Sequence, residues 1–219
     1  APRPLVGGGA AGLGAGLVLG RARRRILLVD AGSQSNLPAD GIGGLLGHDG
    51  LPPAELLERG RAEVGNYGGH IVNGEVADVT RNGEEFRASL ADGRSVMARR
   101  VLVTAGLVDE LPDVAGLRDR WGRDVLHCPY CHGWEVRDQA VGVLASGPMS
   151  VHQALLFRQL TADVAYFSHT LPPTAEQAEQ LAARGITVDG EVTAVEVTDG
   201  RLTGVRLRDG RTVRREAVV

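Results

Sequence analysis

His127-Cys128-Pro129-Tyr130-Cys131-His132 contains the only two cysteines among 219 residues, and they stand three positions apart. A lone pair at this spacing is suited to cycling between dithiol and disulfide, while a structural zinc would need a fuller ligand set. A second motif opens the chain: Gly7-Gly8-Gly9-Ala10-Ala11-Gly12 has the form of a dinucleotide fingerprint. Together the two motifs imply a flavin or nicotinamide that exchanges electrons with a thiol pair.

Cys-x-x-Cys brings two sulfurs within bonding reach when the pair opens a helix. The partial positive charge of a helix N-terminus lowers a thiol pKa, and a neighbouring histidine adds to this or takes the proton. His127 precedes the pair and His132 follows it, so at least one is expected to be the acid/base partner. Three other readings compete. Cys-Pro-Tyr-Cys is also the glutaredoxin motif, although a glutaredoxin carries the pair near the start of a small domain. Cys128…Cys131-His132 also matches c-type haem attachment, which requires export and a further axial ligand. The plainest alternative is two buried, inert thiols.

These residues must be positioned by a scaffold. The opening reads as a short strand (Leu5, Val6), a Gly-rich turn, a helix over about residues 10–20 and a strand Ile26–Val29 ending at Asp30. In such a βαβ unit the glycines permit a tight turn, the helix N-terminus faces a pyrophosphate, and Asp30 accepts from a ribose hydroxyl. Pro2 and Pro4 fall where a central strand should run, so that strand must be short or irregular at its start. Asn82-Gly83, Asp92-Gly93, Asp199-Gly200 and Asp209-Gly210 mark hairpin turns. They form two pairs of equal internal spacing; Val79-Thr80 recurs as Val197-Thr198, and Val101–Val103 as Val218-Val219. The chain is therefore an internal duplication, each copy running strand, turn, helix, strand and β-meander. The second copy is expected to begin at Val141–Leu144, with its turn at Ala145–Ser150 and a helix over about residues 151–160. Its fingerprint is eroded: Ala145 replaces the first glycine, Pro148 removes a donor, and the strand Val164–Phe167 ends in Ser168-His169-Thr170 without a carboxylate. A hinge is expected near Leu111–Gly116.

Composition narrows the class. An apolar content of 43% supports a real core, and a net charge of −3 with no basic stripe argues against nucleic acid. Two cysteines are too few for a disulfide-stapled secreted fold, which points to a reducing cytoplasm. The apolar run Leu5–Gly20 has its basic cluster (Arg21, Arg23, Arg24, Arg25) on the wrong side for a signal peptide and is too short to span a bilayer. No membrane role and no metal is expected.

The residues resemble those of the thioredoxin-reductase-like flavoproteins: Gly7–Gly12, Asp30, Thr104-Ala105-Gly106 after a meander strand, and Cys128/Cys131 opening the second domain. More narrowly, His127–Glu135 (HCPYCHGWE) is similar to the dithiol oxidases that close disulfides in natural products such as holomycin and gliotoxin. The resemblance implies an α/β chain of two Rossmann-like, three-layer nucleotide-binding domains of the pyridine nucleotide-disulfide oxidoreductase type, each with a β-meander. Residues 1–114 would be the N-terminal part of an FAD-binding domain, and residues 115–219 a degenerate NAD(P)-type domain carrying the pair. Members of this family continue beyond the strand at Val218-Val219, so the C-terminal part of the FAD domain is expected to be missing from this sequence.

The resemblance further implies FAD, with its pyrophosphate at Gly9–Ala11, its turn formed by Gly7 and Gly12, and its adenosine ribose at Asp30 and Ala31. Ser35, Asn36, Ala105 and Gly106 would fall along the cofactor. His48 would sit in a loop near the isoalloxazine, though a solvated loop histidine is the other reading. Cys131 would face the flavin and Cys128 the substrate, a small-molecule dithiol. His132 stands where thioredoxin reductases carry an acid, His127 resembles the base of the dithiol oxidases, and molecular oxygen would be the final acceptor. Homodimerisation is implied by analogy alone. The alternatives are an NADPH-dependent disulfide reductase running the same pair in reverse and a non-catalytic, flavoprotein-derived binding or scaffold module.

Overall fold

The computed structural model describes residues 3–219, with side chains from residue 6; Pro2 lies outside them. The chain divides into two compact units, Ala1–Leu37 with Leu51–Asp109, and Pro38–Gly50 with Glu110–Val219.

The first unit runs β1 (Arg3–Val6), α1 (Ala10–Arg21), β2 (Ile26–Asp30), α2 (Pro53–Asn66), β3 (His70–Asn73), the meander β4 (Val76–Asn82), β5 (Glu85–Leu90) and β6 (Ser95–Ala98), then β7 (Leu102–Val103). A parallel sheet forms in the order β3-β2-β1-β7. Pro4 is tolerated because β1 pairs with β2 from Arg3 but with β7 only from Leu5. It therefore precedes the level at which the strand is flanked on both sides. Leu13 of α1 packs with Leu57 and Val64 of α2 over Ile26 and Leu28 of β2. Burial of such side chains stabilises by roughly 1.5–3 kcal/mol each, and it fixes α1 with its first turn at the carboxyl ends of the strands.

The second unit repeats this plan. After α3 (Pro129–His132) come β8 (Val141–Leu144), α4 (Ser150–Phe157), β9 (Val164–Phe167), α5 (Ala175–Ala183) and β10 (Thr187–Asp189). The meander β11 (Val192–Thr198), β12 (Arg201–Leu207) and β13 (Thr212–Arg214) follows, then β14 (Ala217–Val218). The sheet order β10-β9-β8-β14 matches the first unit, so the duplication seen in the hairpin spacing is real. All residues of β8 and β9 are buried because both faces are covered. Val143, Val164 and Tyr166 face Ala154, Leu181 and Ile186 on the helical side. Leu144, Ala165 and Phe167 face Val192, Leu202, Val205 and Leu207 on the meander side. That alternation is the period-two signature of a three-layer sandwich.

The hairpin turns form where expected. Thr198 pairs with Arg201, and the two residues between them, Asp199 and Gly200, have φ of 50° and 74°. This is the type I′ pattern that fits strand twist. One expectation is corrected. Leu111–Gly116 is no free hinge: Val114 joins the second unit's core, and Ala115 is bonded into β11 through Thr193 and Val195. The α4 helix also stops at Phe157 rather than running on to 160. Among the described residues, no helix is long and apolar enough to cross a membrane.

Candidate functional site

The first nucleotide turn is an open cradle. Gly7 has φ of 108°, and a Cβ there would sit 2.2 Å from the Thr104 carbonyl oxygen. A Cβ on Gly12 would sit 1.9 Å from the Gly7 carbonyl oxygen. Thr104 closes the back of the turn: its hydroxyl donates to the Val6 and Gly7 carbonyls at 2.9 and 3.0 Å. Gly9 caps α1 without any side-chain bond, which leaves the first backbone N–H groups and the positive helix end for an anion. A groove of about 170 Å³ runs from Gly7–Gly9 past Asp30–Asn36 to Thr104–Leu107. Tight backbone, free amides and a carboxylate at the far end fit a dinucleotide.

Asp30 ends β2 and is only 3% exposed. Its Oδ1 accepts from the Gly32 amide (2.9 Å) and Gln34 Nε2 (2.8 Å), and its Oδ2 from Arg61 Nη2 (2.9 Å). Burial alone would raise its pKa, but Arg61 and the two other donors outweigh burial and hold it below the ordinary aspartate value. The carboxyl lies directly under Gly8, where a Cβ would come within 2.1 Å of Cγ. Gly8 is therefore as much a part of the site as its neighbours.

The corresponding turn of the second unit is filled by its own chain. Gly147 N–H donates to Ser150 Oγ at 3.2 Å, so one amide is already used. Pro148 has none to give. The segment after β9 folds back on the turn, with both the Thr170 amide (3.2 Å) and hydroxyl (3.1 Å) donating to the Ala145 carbonyl.

This unit carries the thiols. Cys128 is the N-cap of α3 with extended backbone, Pro129 takes the first helical position, and Cys131 sits inside the single turn. The amides of Cys131 and His132 donate to the Cys128 carbonyl at 3.3 and 3.2 Å. Both cysteines are free thiols. The Cys131 thiol is pushed up to about 11, first by burial of its sulfur and then by its hydrogen bond to, and the charge of, Cys128. The lowering expected from a helix N-terminus is not found at Cys131, because burial and then the partner sulfur outweigh the small dipole of a four-residue turn. His132 is half-buried, and its Nε2 is buried without a hydrogen-bond partner. His127 is exposed, with its carbonyl held by Gln153 Nε2 at 2.6 Å.

Gly7, Gly9, Asp30, Ala31, Ser35, Asn36, Ala105 and Gly106 line the first groove. Ala10 and Ala11 form the first turn of α1, and Gly12 lies buried behind it as a close-packing residue. His48 is not in that groove. It belongs to the segment Pro38–Gly50 of the second unit, in which Gly43 lies so near the Cys131 carbonyl that a Cβ would come within 2.4 Å. Sequence reading missed Gly8, Gln34, Thr104 and Arg61 as site residues. Gly8 and Thr104 stood inside quoted motifs; nothing local marks Arg61, 31 residues from its partner.

The fold and the two sites define the class. The chain belongs to the pyridine nucleotide-disulphide oxidoreductase family, whose model matches residues 5–219, and members of the thioredoxin-reductase-like branch are flavoproteins. It is 30% identical over 197 residues to "Thioredoxin reductase tcpT" of Claviceps purpurea, covering 87% of this chain and 60% of that one. It is 32% identical over 170 residues to "Thioredoxin reductase sirT" of Leptosphaeria maculans, covering 75% and 50%. The crystal structure of HlmI superposes with a TM-score of 0.96 at 48% identity, covering 99% of this chain and 70% of that one. The chain thus spans about half the length of the curated relatives it matches.

Proposed function

We propose that the chain is the core of an FAD-dependent dithiol oxidase that closes a disulfide in a small-molecule dithiol with molecular oxygen as acceptor. The net change is R(SH)₂ + O₂ → RS₂ + H₂O₂. The observation that carries this reading is the contrast between the two nucleotide turns, beside a redox pair bracketed by histidines. The first turn offers free amides, while the second spends one of its own on Ser150, lacks another at Pro148 and is overlaid by Thr170.

FAD would lie on the amides at the start of α1 with its ribose toward Asp30. When bound it supplies a two-electron carrier between the thiols and oxygen. The chain's own part is thiol exchange. One substrate sulfur attacks Cys128 Sγ of the oxidised pair, breaking the S–S bond and releasing Cys131. The second substrate sulfur then attacks the first, expelling Cys128 and forming the product disulfide. The substrate loses two electrons, which now reside on the reduced pair. Its two protons are taken up by the released Cys131, which holds one firmly, and by a flanking histidine. His132 is the favoured acceptor because its buried Nε2 has no partner.

The second reading, an NADPH-dependent disulfide reductase, is favoured by the printed names of the curated relatives. Anaerobic mixing separates the two. The oxidase keeps its yellow flavin colour with NADPH and loses it with a small dithiol; bleaching by NADPH at catalytic rates would replace the proposal with the reductase.

A further inference from the structure

We propose that Arg61 is a positioning residue of the nucleotide site, turning the Asp30 carboxylate toward the ribose from behind. The inference rests on the cofactor reading above and adds to it a residue outside the groove. Asp30 carries two oxygens with about four acceptor positions between them. Gly32 and Gln34 occupy two on Oδ1, and Arg61 occupies one on Oδ2. One position is left for a ribose hydroxyl, and a second opens only when a donor leaves. The Gly32 amide is fixed by the backbone, and Gln34 is a neutral side chain that itself lines the groove. Arg61 reaches in from α2 with the charge-assisted bond, and among the described residues it is the only charged group that holds Asp30.

The packing explains why the sequence needs it. A carboxylate 3% exposed under Gly8 is largely shielded from solvent, and burial favours its neutral form. The α2 helix is held on α1 by Leu57 and Val64, so the guanidinium arrives at a fixed height. Arg61 is 39% exposed along its side chain and is therefore changeable without opening the core.

The test is a double-mutant cycle read by ADP binding in calorimetry, which uses neither flavin nor redox turnover. Asp30→Asn is expected to weaken ADP by about tenfold or more, the size of a lost bond to a charged group. Arg61→Gln should weaken it by roughly 3–10-fold, and Arg61→Lys should recover most of the loss by restoring the charge. In the Asp30→Asn background, Arg61→Gln should cost almost nothing further, since there is no carboxylate to turn. Losses that multiply in the double variant, or wild-type affinity in Arg61→Gln, would overturn the proposal. Wild-type protein that binds neither ADP nor FAD would instead sink the cofactor reading and this inference with it. Circular dichroism of each variant separates unfolding from loss of affinity, and the Lys variant keeps the test open if the Gln variant fails to fold.

Discussion

The two copies of the fold share strand order, meander and hairpin turns, yet differ at the turn after their first strand. In the first copy, glycines let backbone pass within a Cβ's reach of backbone, and a carboxylate is held under the turn by three donors. In the second, Ala145, Pro148 and Ser150 stand in the turn, and Thr170 from the following loop binds back over it. The sheets keep the same strand order despite this difference. A duplicated Rossmann unit can therefore rebuild its nucleotide turn while keeping its sheet order. The second copy carries the thiols on the segment that precedes its sheet.

The largest effect tests the thiols. Cys128→Ser or Cys131→Ser is expected to reduce dithiol oxidation by on the order of 10⁴-fold or more, as for loss of a group that forms the covalent intermediate. Oxygen consumption with a small dithiol measures it, and residual turnover within tenfold of wild type would remove the pair from the reaction. The raised Cys131 thiol should also show in its pH response. A thiol raised to about 11 stays protonated through neutrality, so alkylation of Cys131 should climb about tenfold per pH unit from 7 to 10 without levelling. A plateau below pH 9 would show that the Cys131 thiol is not raised.

Next in size are the histidines. His132→Ala should cost about 10²–10⁴-fold in turnover and His127→Ala far less, if the buried unpartnered Nε2 is the proton acceptor. The reverse order would move the base to the exposed side of the pair.

Much of this contrast was readable from residue order. The glycine fingerprint, Asp30 at the end of its strand and the repeated Asp-Gly turns are local chemistry, and local chemistry survives folding unchanged. The eroded turn was visible as Ala145 and Pro148, but its filling by Thr170 was not, because that bond spans 25 residues. Arg61 was invisible for the same reason: it reaches Asp30 only through the packing of α2 on α1. The grouping of Pro38–Gly50 with the second unit carried no sequence signal either, since its glycines read as an ordinary loop. The Cys131 shift ran against expectation because burial, with a neighbouring sulfur beside it, acts more strongly than one short turn of helix.

Substitutions in the two turns sharpen the comparison further. Gly12→Ala places a Cβ 1.9 Å from the Gly7 carbonyl, so the turn must move. Flavin affinity should fall by roughly tenfold or more, with about 1–3 kcal/mol of stability lost to overpacking. Retained affinity in a folded variant would mean the cradle is looser than its glycines imply. The mirror-image change, Ala145→Gly, should leave NADPH affinity where it is, because Thr170 and Pro148 remain in place.

The smallest effect separates a turn that is merely filled from one that has lost its site. Ser150 is buried, and its Oγ takes the Gly147 amide. Ser150→Ala removes that acceptor and leaves a donor short of a partner, at a cost of about 1 kcal/mol read in denaturant melts. The same change frees one amide at the start of α4, as an anion site requires. If the second copy were a nucleotide site masked only by Ser150, NADPH would then bind with measurable heat in protein already saturated with FAD. The expected result is the stability loss alone. One freed amide cannot replace the donor missing at Pro148, and Ser168-His169-Thr170 offers a ribose no carboxylate. Heat of NADPH binding in this variant would show that the two copies differ by a side chain and not by design of the turn, and would restore the reductase reading.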